Sequence, residues 1–154
     1  MKKKFIYILI CLITSINHSF AEDDFLTENV ITAKENTDYA LILEFLDFKN
    51  EKIGEADEYF TNKTTYRTKI VEVIKGDLSK DMEISFYYVS DDGDAATSLK
   101  EGPQLLFLCK DKNGEFYFAG VGTWFPGEPN IIDIARNTTI DGQESDNEGS
   151  YCDE

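Results

Sequence analysis

The chain has 154 residues, a formal net charge of −15 at pH 7 and one histidine. Coulomb repulsion between such an acidic surface and phosphate groups argues against binding of nucleic acid or anionic lipid. The histidine, His18, lies in the N-terminal segment described next. The rest of the chain therefore has no imidazole for a serine or cysteine nucleophile pair or for a histidine zinc site.

Residues 1–21 have the organisation of a secretory signal peptide. Three lysines at positions 2–4 precede the apolar segment Phe5–Ile13, which is shorter than the ~20 residues of a membrane-spanning helix. Ser19 and Ala21 are the small residues expected before a cleavage site. A membrane anchor and a lipoprotein modified at Cys11 fit less well, because polar residues interrupt the apolar stretch and Cys11 lies inside it. We expect cleavage after Ala21, export to the bacterial periplasm or the extracellular space, and no stable membrane anchor.

The exported part reads as one domain with two acidic flanks. Residues 22–37 are a polar lead-in without a steady hydrophobic period, residues 38–140 form the domain, and residues 141–154 are an acidic tail. Such a tail is disordered on its own unless it is tied back.

Two cysteines remain after export, Cys109 and Cys152. An oxidising compartment favours a disulfide between them, and this bond would anchor the tail. The alternative is a buried, free Cys109 with a loose Cys152, and the sequence does not exclude it.

The first half of the domain begins with an ambiguous apolar run. Residues 38–48 fit the period of a helix and that of a strand, and residues 49–63 read as a long polar connection. Residues 66–74 alternate as a half-buried strand until Ile70 and then become apolar on both faces, which predicts a bulge. Gly76 follows in a turn where a positive φ is expected.

The second half contains clearer strands. Residues 82–88 alternate with one buried face, and an acidic loop follows over residues 91–101. Residues 105–109 are apolar on both faces, which is typical of a central strand. Asn113-Gly114 predicts a hairpin to a returning strand over residues 115–121, and residues 131–134 form a last short packed element.

Strands at short spacing with polar loops predict a mostly β fold, a small barrel or sandwich. The stretches YRTKIVEVIKGDL, MEISFYY and LKEGPQLLFL resemble the netrin-like or TIMP-like secreted OB-fold domains. The recurring elements there are a strand that ends in Val-x-Lys-Gly, a second strand, and a glycine shortly before a Leu-Leu-Phe strand. Here they correspond to Val73–Gly76, Ile84–Phe86, and Gly102 with Leu105–Phe107.

The resemblance implies a five-stranded OB-like barrel that serves as an extracytoplasmic binding module of a bacterial type, not an enzyme. The inhibitory members use a cysteine at the mature N-terminus to reach a protease zinc. The exported chain would start at Glu22, so the resemblance does not extend to that route of metalloprotease inhibition.

The predicted function is an exported, non-enzymatic binding module for an unidentified protein partner, of which a protein inhibitor is one form. We expect no catalytic residues, metal or cofactor, and the oligomeric state stays open. One alternative is a structural envelope protein that self-associates, which the high negative charge disfavours unless a cation bridges the chains. The other is a small carboxylate-dependent hydrolase, which lacks a recognisable motif in this sequence.

Four aromatic residues are candidates for recognition. Trp124 and Phe125 lie in a Gly/Pro-rich segment, where loop aromatics often bind. Tyr87 lies on the polar face of its strand and would join Tyr117 if the two strands are neighbours. The alternative for Trp124 is that it plugs one end of the barrel, because a lone tryptophan is usually well buried.

Two charged features have simpler interpretations. Arg67 and Lys69 are either solvated charges on a strand face, which is the usual case, or a small basic contact patch. Asp91-Asp92-Gly93-Asp94 invites a calcium site, but the spacing does not follow an EF-hand loop, so we interpret it as a solvated loop tip.

Overall fold

Five strands close into a β-barrel in the computed structural model, which describes residues 24–53, 61–91, 96–139 and 151–152. The predicted signal peptide, the Asp92–Asp94 part of the acidic loop and most of the acidic tail lie outside the described residues. The elements are, in chain order, α1 (24–35), β1 (Tyr39–Ile53), β2 (Thr61–Lys75), β3 (Glu83–Asp91), β4 (Gln104–Lys110), β5 (Phe116–Phe118), β6 (Trp124–Pro126) and α2 (Pro129–Asn137).

The strand order is β1-β2-β3-β5-β4, and a further pairing between β1 and β4 closes the barrel. β3 and β5 run parallel, and the other pairs are antiparallel. β6 pairs with the beginning of β4, at Gln104 to Leu106, whereas β5 pairs with the end of β4, at Leu108 to Lys110. The predicted mostly β, OB-like fold of five strands is confirmed.

The ambiguous run at residues 38–48 is strand from Tyr39 onward, and both faces of this strand are buried over residues 39–43. Leu41 and Leu43 point into the barrel interior. Ala40 and Ile42 instead belong to a second apolar cluster that also contains residues of α1 and α2, and we call it the helix-side cluster. A strand that is covered on both sides has no polar face, so its apolar residues show no period of two. The predicted long connection over residues 49–63 is wrong in extent, since β1 continues to Ile53 and β2 begins at Thr61.

The helices cover the outside of β1 and β4. The predicted lead-in over residues 22–37 contains α1, whose Val30 and Ala33 are fully buried. The predicted packed element at residues 131–134 lies within α2, where Ile131 and Ala135 are buried. No helix in the described ranges has the length and apolar character needed to cross a membrane.

Two lysines cap the helix ends. Lys75 Nζ, at the end of β2, donates to the carbonyl oxygen of Lys34 at 2.7 Å and to that of Thr37, where α1 ends. Lys34 Nζ in turn donates to the carbonyl oxygens of Ala135, at 2.7 Å, and Thr138, at 2.6 Å, at the end of α2. The last carbonyls of a helix lack intrahelical donors, so each ammonium satisfies groups that would otherwise be unpaired. Burial lowers the pKa of both lysines.

The glycine after Lys75 is required by the packing of Tyr39. Gly76 has a φ of 107°, and a Cβ placed on it would lie 2.3 Å from Cδ1 of Tyr39. The predicted positive φ at Gly76 is confirmed. The Lys-Gly pair that carries part of the family resemblance thus has a structural role: the lysine caps α1 and the glycine makes room for the ring.

The predicted bulge in β2 is also confirmed. The β1–β2 register shifts between Ala40 and Leu41 and again between Ile42 and Leu43. Beyond Ile70, Val71 therefore packs against the helix-side cluster while Val73 packs against the barrel interior. These shifts are why the simple alternation of the strand ends at Ile70.

Cys109 and Cys152 are joined by a disulfide, as predicted, with a Cα–Cα distance of 5.4 Å. The neighbouring Tyr151 donates its backbone N–H to the carbonyl oxygen of Asn36 at 3.0 Å. The disulfide and this hydrogen bond therefore hold Tyr151 and Cys152 against β4 and the α1–β1 connection.

Candidate binding face

The outer face of β2, β3 and β5 carries the candidate site. Successive residues of a strand point to opposite faces, so Tyr66 and Tyr88 face the interior while Lys63, Thr65 and Tyr87 face outward. The β4–β5 turn lies beside this face. We call the outward side of these three strands, with that turn, the binding face.

Tyr87 and Tyr117 lie together at its centre. β3 and β5 pair in parallel with Tyr87 opposite Tyr117, and the two rings stack with centroids 6.0 Å apart and an interplanar angle of 30°. The sequence-based expectation that these tyrosines meet is confirmed. Their flat, partly exposed rings form a platform on which an apolar or cationic group can pack.

A lysine and a glutamate flank the tyrosines. Lys63 Nζ lies 4.1 Å from the centroid of the Tyr87 ring and 3.5 Å from a carboxylate oxygen of Glu115. The ammonium therefore combines a cation–π contact with an ion pair at a partly exposed position, where each contributes little to stability.

The β4–β5 turn presents a second carboxylate to the platform. Asp111 accepts the backbone N–H groups of Asn113, at 2.8 Å, and Glu115, at 2.9 Å, and the Tyr87 hydroxyl donates to it at 3.3 Å. Partial desolvation opposes ionisation of Asp111, but these hydrogen bonds outweigh it and lower its pKa. Desolvation, and then the Asp111 charge, raises the pKa of Tyr87. At neutral pH the face therefore presents a phenol hydrogen-bonded to a carboxylate.

A groove of about 210 Å³ lies on the Tyr87 side of the tyrosine pair. Side chains of β2 and β3 line it together with the end of the β4–β5 turn and the start of β5, namely Lys63, Thr65, Ser85, Phe86, Tyr87, Gly114, Glu115 and Phe116. The arrangement offers stacking, hydrogen bonding and negative charge. None of these described lining residues is a histidine or a cysteine.

Sequence reasoning missed Lys63, Asp111 and Glu115. The sequence predicts a connection over residues 49–63, whereas Lys63 lies on the outward face of β2. The sequence predicts Asp111 only as part of the turn and Glu115 only as the first residue of the returning strand. The Asn113-Gly114 turn was itself a usable signal, because it places the residues on either side of it next to the returning strand that carries Tyr117.

Trp124 packs into the barrel interior. Its ring stacks on Phe45, with centroids 5.2 Å apart, and meets Tyr66 edge-on at 5.7 Å. The indole Nε1–H donates to Oε1 of Gln104 at 3.3 Å. These contacts match the alternative in which Trp124 closes one end of the barrel, although the side chain remains half-buried.

Phe125 is a core residue. It is 7% exposed and meets Phe107 edge-on at 5.9 Å within the helix-side cluster. The alternation of β6 turns Phe125 away from the side to which Trp124 points. Its assignment as a binding residue is therefore corrected, because a buried ring cannot meet a partner.

Arg67 and Lys69 are exposed and each is paired with acidic neighbours. Arg67 donates to Asp47, at 2.6 Å and 2.9 Å, and to Glu83 at 2.9 Å, and Lys69 lies 2.8 Å from Asp81. Their charges are locally balanced, so they do not make an unpaired basic patch.

One group of three potential metal-ligating side chains occurs in the described ranges, Asp38 with Cys109 and Cys152. The disulfide between the cysteines removes both thiolates as ligands.

No protein-family model and no curated protein sequence matches this chain. The netrin-like or TIMP-like assignment therefore remains a prediction.

Proposed function

We propose that the protein is an exported, non-enzymatic binding module that takes a protein partner on the binding face. The observation that carries the proposal is the Tyr87–Tyr117 stack, held in strand register beside a groove. OB barrels bind oligonucleotides and oligosaccharides at the face of strands 2 and 3 and at the loops between strands 1 and 2 and between strands 4 and 5, so the proposed face has the same position in the fold. The resemblance to netrin-like and TIMP-like secreted domains supports the same conclusion.

The partner presents a basic side chain to this face. Asp111 and Glu115 lie at the edge of the tyrosine platform, and the whole chain carries a net charge of −15. An arginine of the partner can stack on the tyrosines, where it would replace Lys63 over Tyr87 and pair with the carboxylates. The general negative charge speeds encounter with such a partner and disfavours acidic ones.

Capture on the exported protein tests this proposal. Immobilised protein is incubated with the extracytoplasmic fraction of the producing cell, and the affinity for the retained partner is then measured. We expect Tyr87→Ser with Tyr117→Ser to weaken binding about 30-fold, because truncation of an interfacial tyrosine hot spot costs about 2 kcal/mol.

The control is Phe25→Ser, which removes an aromatic ring that is 66% exposed on α1, away from the binding face. It is expected to leave the affinity unchanged. Equal affinity of the double tyrosine variant and the wild type, with both folded by circular dichroism, would contradict the proposed face.

A further inference from the structure

A second cavity, of about 370 Å³, lies on the inward side of the same strands. It is bounded by four aromatic residues, namely Tyr66, Tyr88, Phe118 and Trp124. Tyr88 meets Phe118 edge-on at 5.3 Å, and Phe118 meets Trp124 at 5.8 Å. The volume falls within the roughly 300–1,000 Å³ that is usual for small-molecule sites.

The other described residues that line the cavity belong to the segment 96–100, which precedes β4, and are Ala96, Thr97, Ser98 and Lys100. This segment is anchored, because Asn50 Nδ2 donates to the carbonyl oxygen of Ala96 at 2.8 Å. Leu99 and Ala96 also pack against the barrel interior. The described wall is thus fixed by the fold, which favours a site that is formed before its ligand binds.

The polar side chains among the described lining residues can all donate hydrogen bonds. Lys100 is cationic, Thr97 and Ser98 carry hydroxyls, and no acidic side chain is among the described residues that line the cavity. A tyrosine phenol keeps its proton at neutral pH and can donate a hydrogen bond, and burial, then Tyr88, raises the pKa of Tyr66 further. Cation and hydroxyl donors at the rim of an aromatic cavity complement an anion attached to a ring.

We propose that this cavity binds a small planar aromatic anion, such as an aromatic carboxylate or sulfonate, with its ring among Tyr66, Tyr88, Phe118 and Trp124 and its anionic group at Lys100. The site is separate from the binding face, since its lining residues point to the opposite side of β2 and β3. The proposal of a ligand in this cavity therefore does not depend on the proposed protein partner.

The test uses two fluorescent probes of nearly the same shape. These are 8-anilinonaphthalene-1-sulfonate, which is anionic, and N-phenyl-1-naphthylamine, which is neutral. Trp124 is the only tryptophan in the chain and it lines the cavity. Energy transfer from Trp124 therefore detects a probe bound to the barrel, and the lysine variants described next localise that probe to the cavity. We expect one molecule of the sulfonate to bind per chain, with quenching of Trp124 emission, and to bind more tightly than the neutral probe.

Charge removal at the rim gives the discriminating result. Lys100→Gln is expected to weaken sulfonate binding about fivefold, as for loss of an exposed ion pair, and to leave binding of the neutral probe unchanged. Lys80→Gln, a matched change at an exposed lysine of the β2–β3 connection, is expected to change neither affinity. Absence of saturable energy transfer from Trp124, or equal sulfonate affinities for the two lysine variants, would overturn the proposal.

Discussion

Replacing Trp124 with alanine is expected to lower the free energy of unfolding by about 3 kcal/mol, the lower end of the range for large-to-small aromatic substitutions in cores. The ring contacts Phe45, Tyr66, Phe86 and Phe118, so its removal opens the barrel interior. The lower end of the range applies because the side chain is only half-buried.

Chemical denaturation followed by circular dichroism measures this change, since the variant has lost the fluorescent tryptophan. Tyr87→Ala is the matched control on the outward side of the barrel, and we expect it to cost about 1 kcal/mol or less, as for changes away from the core. A loss below 1 kcal/mol for Trp124→Ala, together with loss of partner binding, would instead make Trp124 a recognition residue.

Removing the disulfide is expected to lower the free energy of unfolding by about 4 kcal/mol. The bond closes a loop with a sequence separation of 43 residues, and the chain-entropy model assigns about this value to a loop of that length. The suitable variant is Cys109→Ala with Cys152→Ser, because Cys109 is fully buried and a serine there would bury an additional hydroxyl.

Two measurements check the disulfide. Reductant should lower the unfolding midpoint of the wild type and leave that of the variant unchanged. The intact mass of the exported wild type should correspond to residues 22–154 with two hydrogens lost. Alkylation of both cysteines in the unfolded, unreduced protein would show that the bond does not form.

The same intact mass tests the predicted cleavage after Ala21. A mass that retains residues 1–21 would contradict this cleavage.

Local sequence patterns were sufficient to predict elements that have one exposed face or a turn that needs a glycine. The alternation in residues 82–88 predicted most of β3 (Glu83–Asp91), and Asn113-Gly114 predicted the β4–β5 hairpin. Gly76 was predicted from its turn. In each case one face of the strand is exposed to solvent, or a turn requires a glycine, so the local sequence pattern indicates the local geometry.

Other elements depend on contacts between residues that are far apart in the sequence, so local sequence patterns predict these elements poorly. The helix α1 has apolar residues at positions 26, 30 and 33, a helical spacing that its acidic neighbours obscured. The cap on its end comes from Lys75, about 40 positions further along the chain. No local signal reports such a partner.

The binding face was only partly predictable for the same reason. Tyr87 and Tyr117 were identified as candidates, but their contact depends on the parallel pairing of β3 with β5. That pairing joins strands that are separated in the sequence by all of β4. From the sequence alone, the contact between the two tyrosines could therefore be predicted only on the condition that the two strands are neighbours.

The most direct test of the central claim is to map the bound partner on the barrel. The exported protein is labelled with ¹⁵N and titrated with the unlabelled partner, while backbone amide signals are followed by nuclear magnetic resonance. We expect the largest shifts at Lys63, Tyr87 and Tyr117 and across the β4–β5 turn, with α1 and α2 unaffected. Shifts confined to the helix side, with the tyrosine strands unchanged, would contradict the proposal that the β2–β3–β5 face is the binding surface.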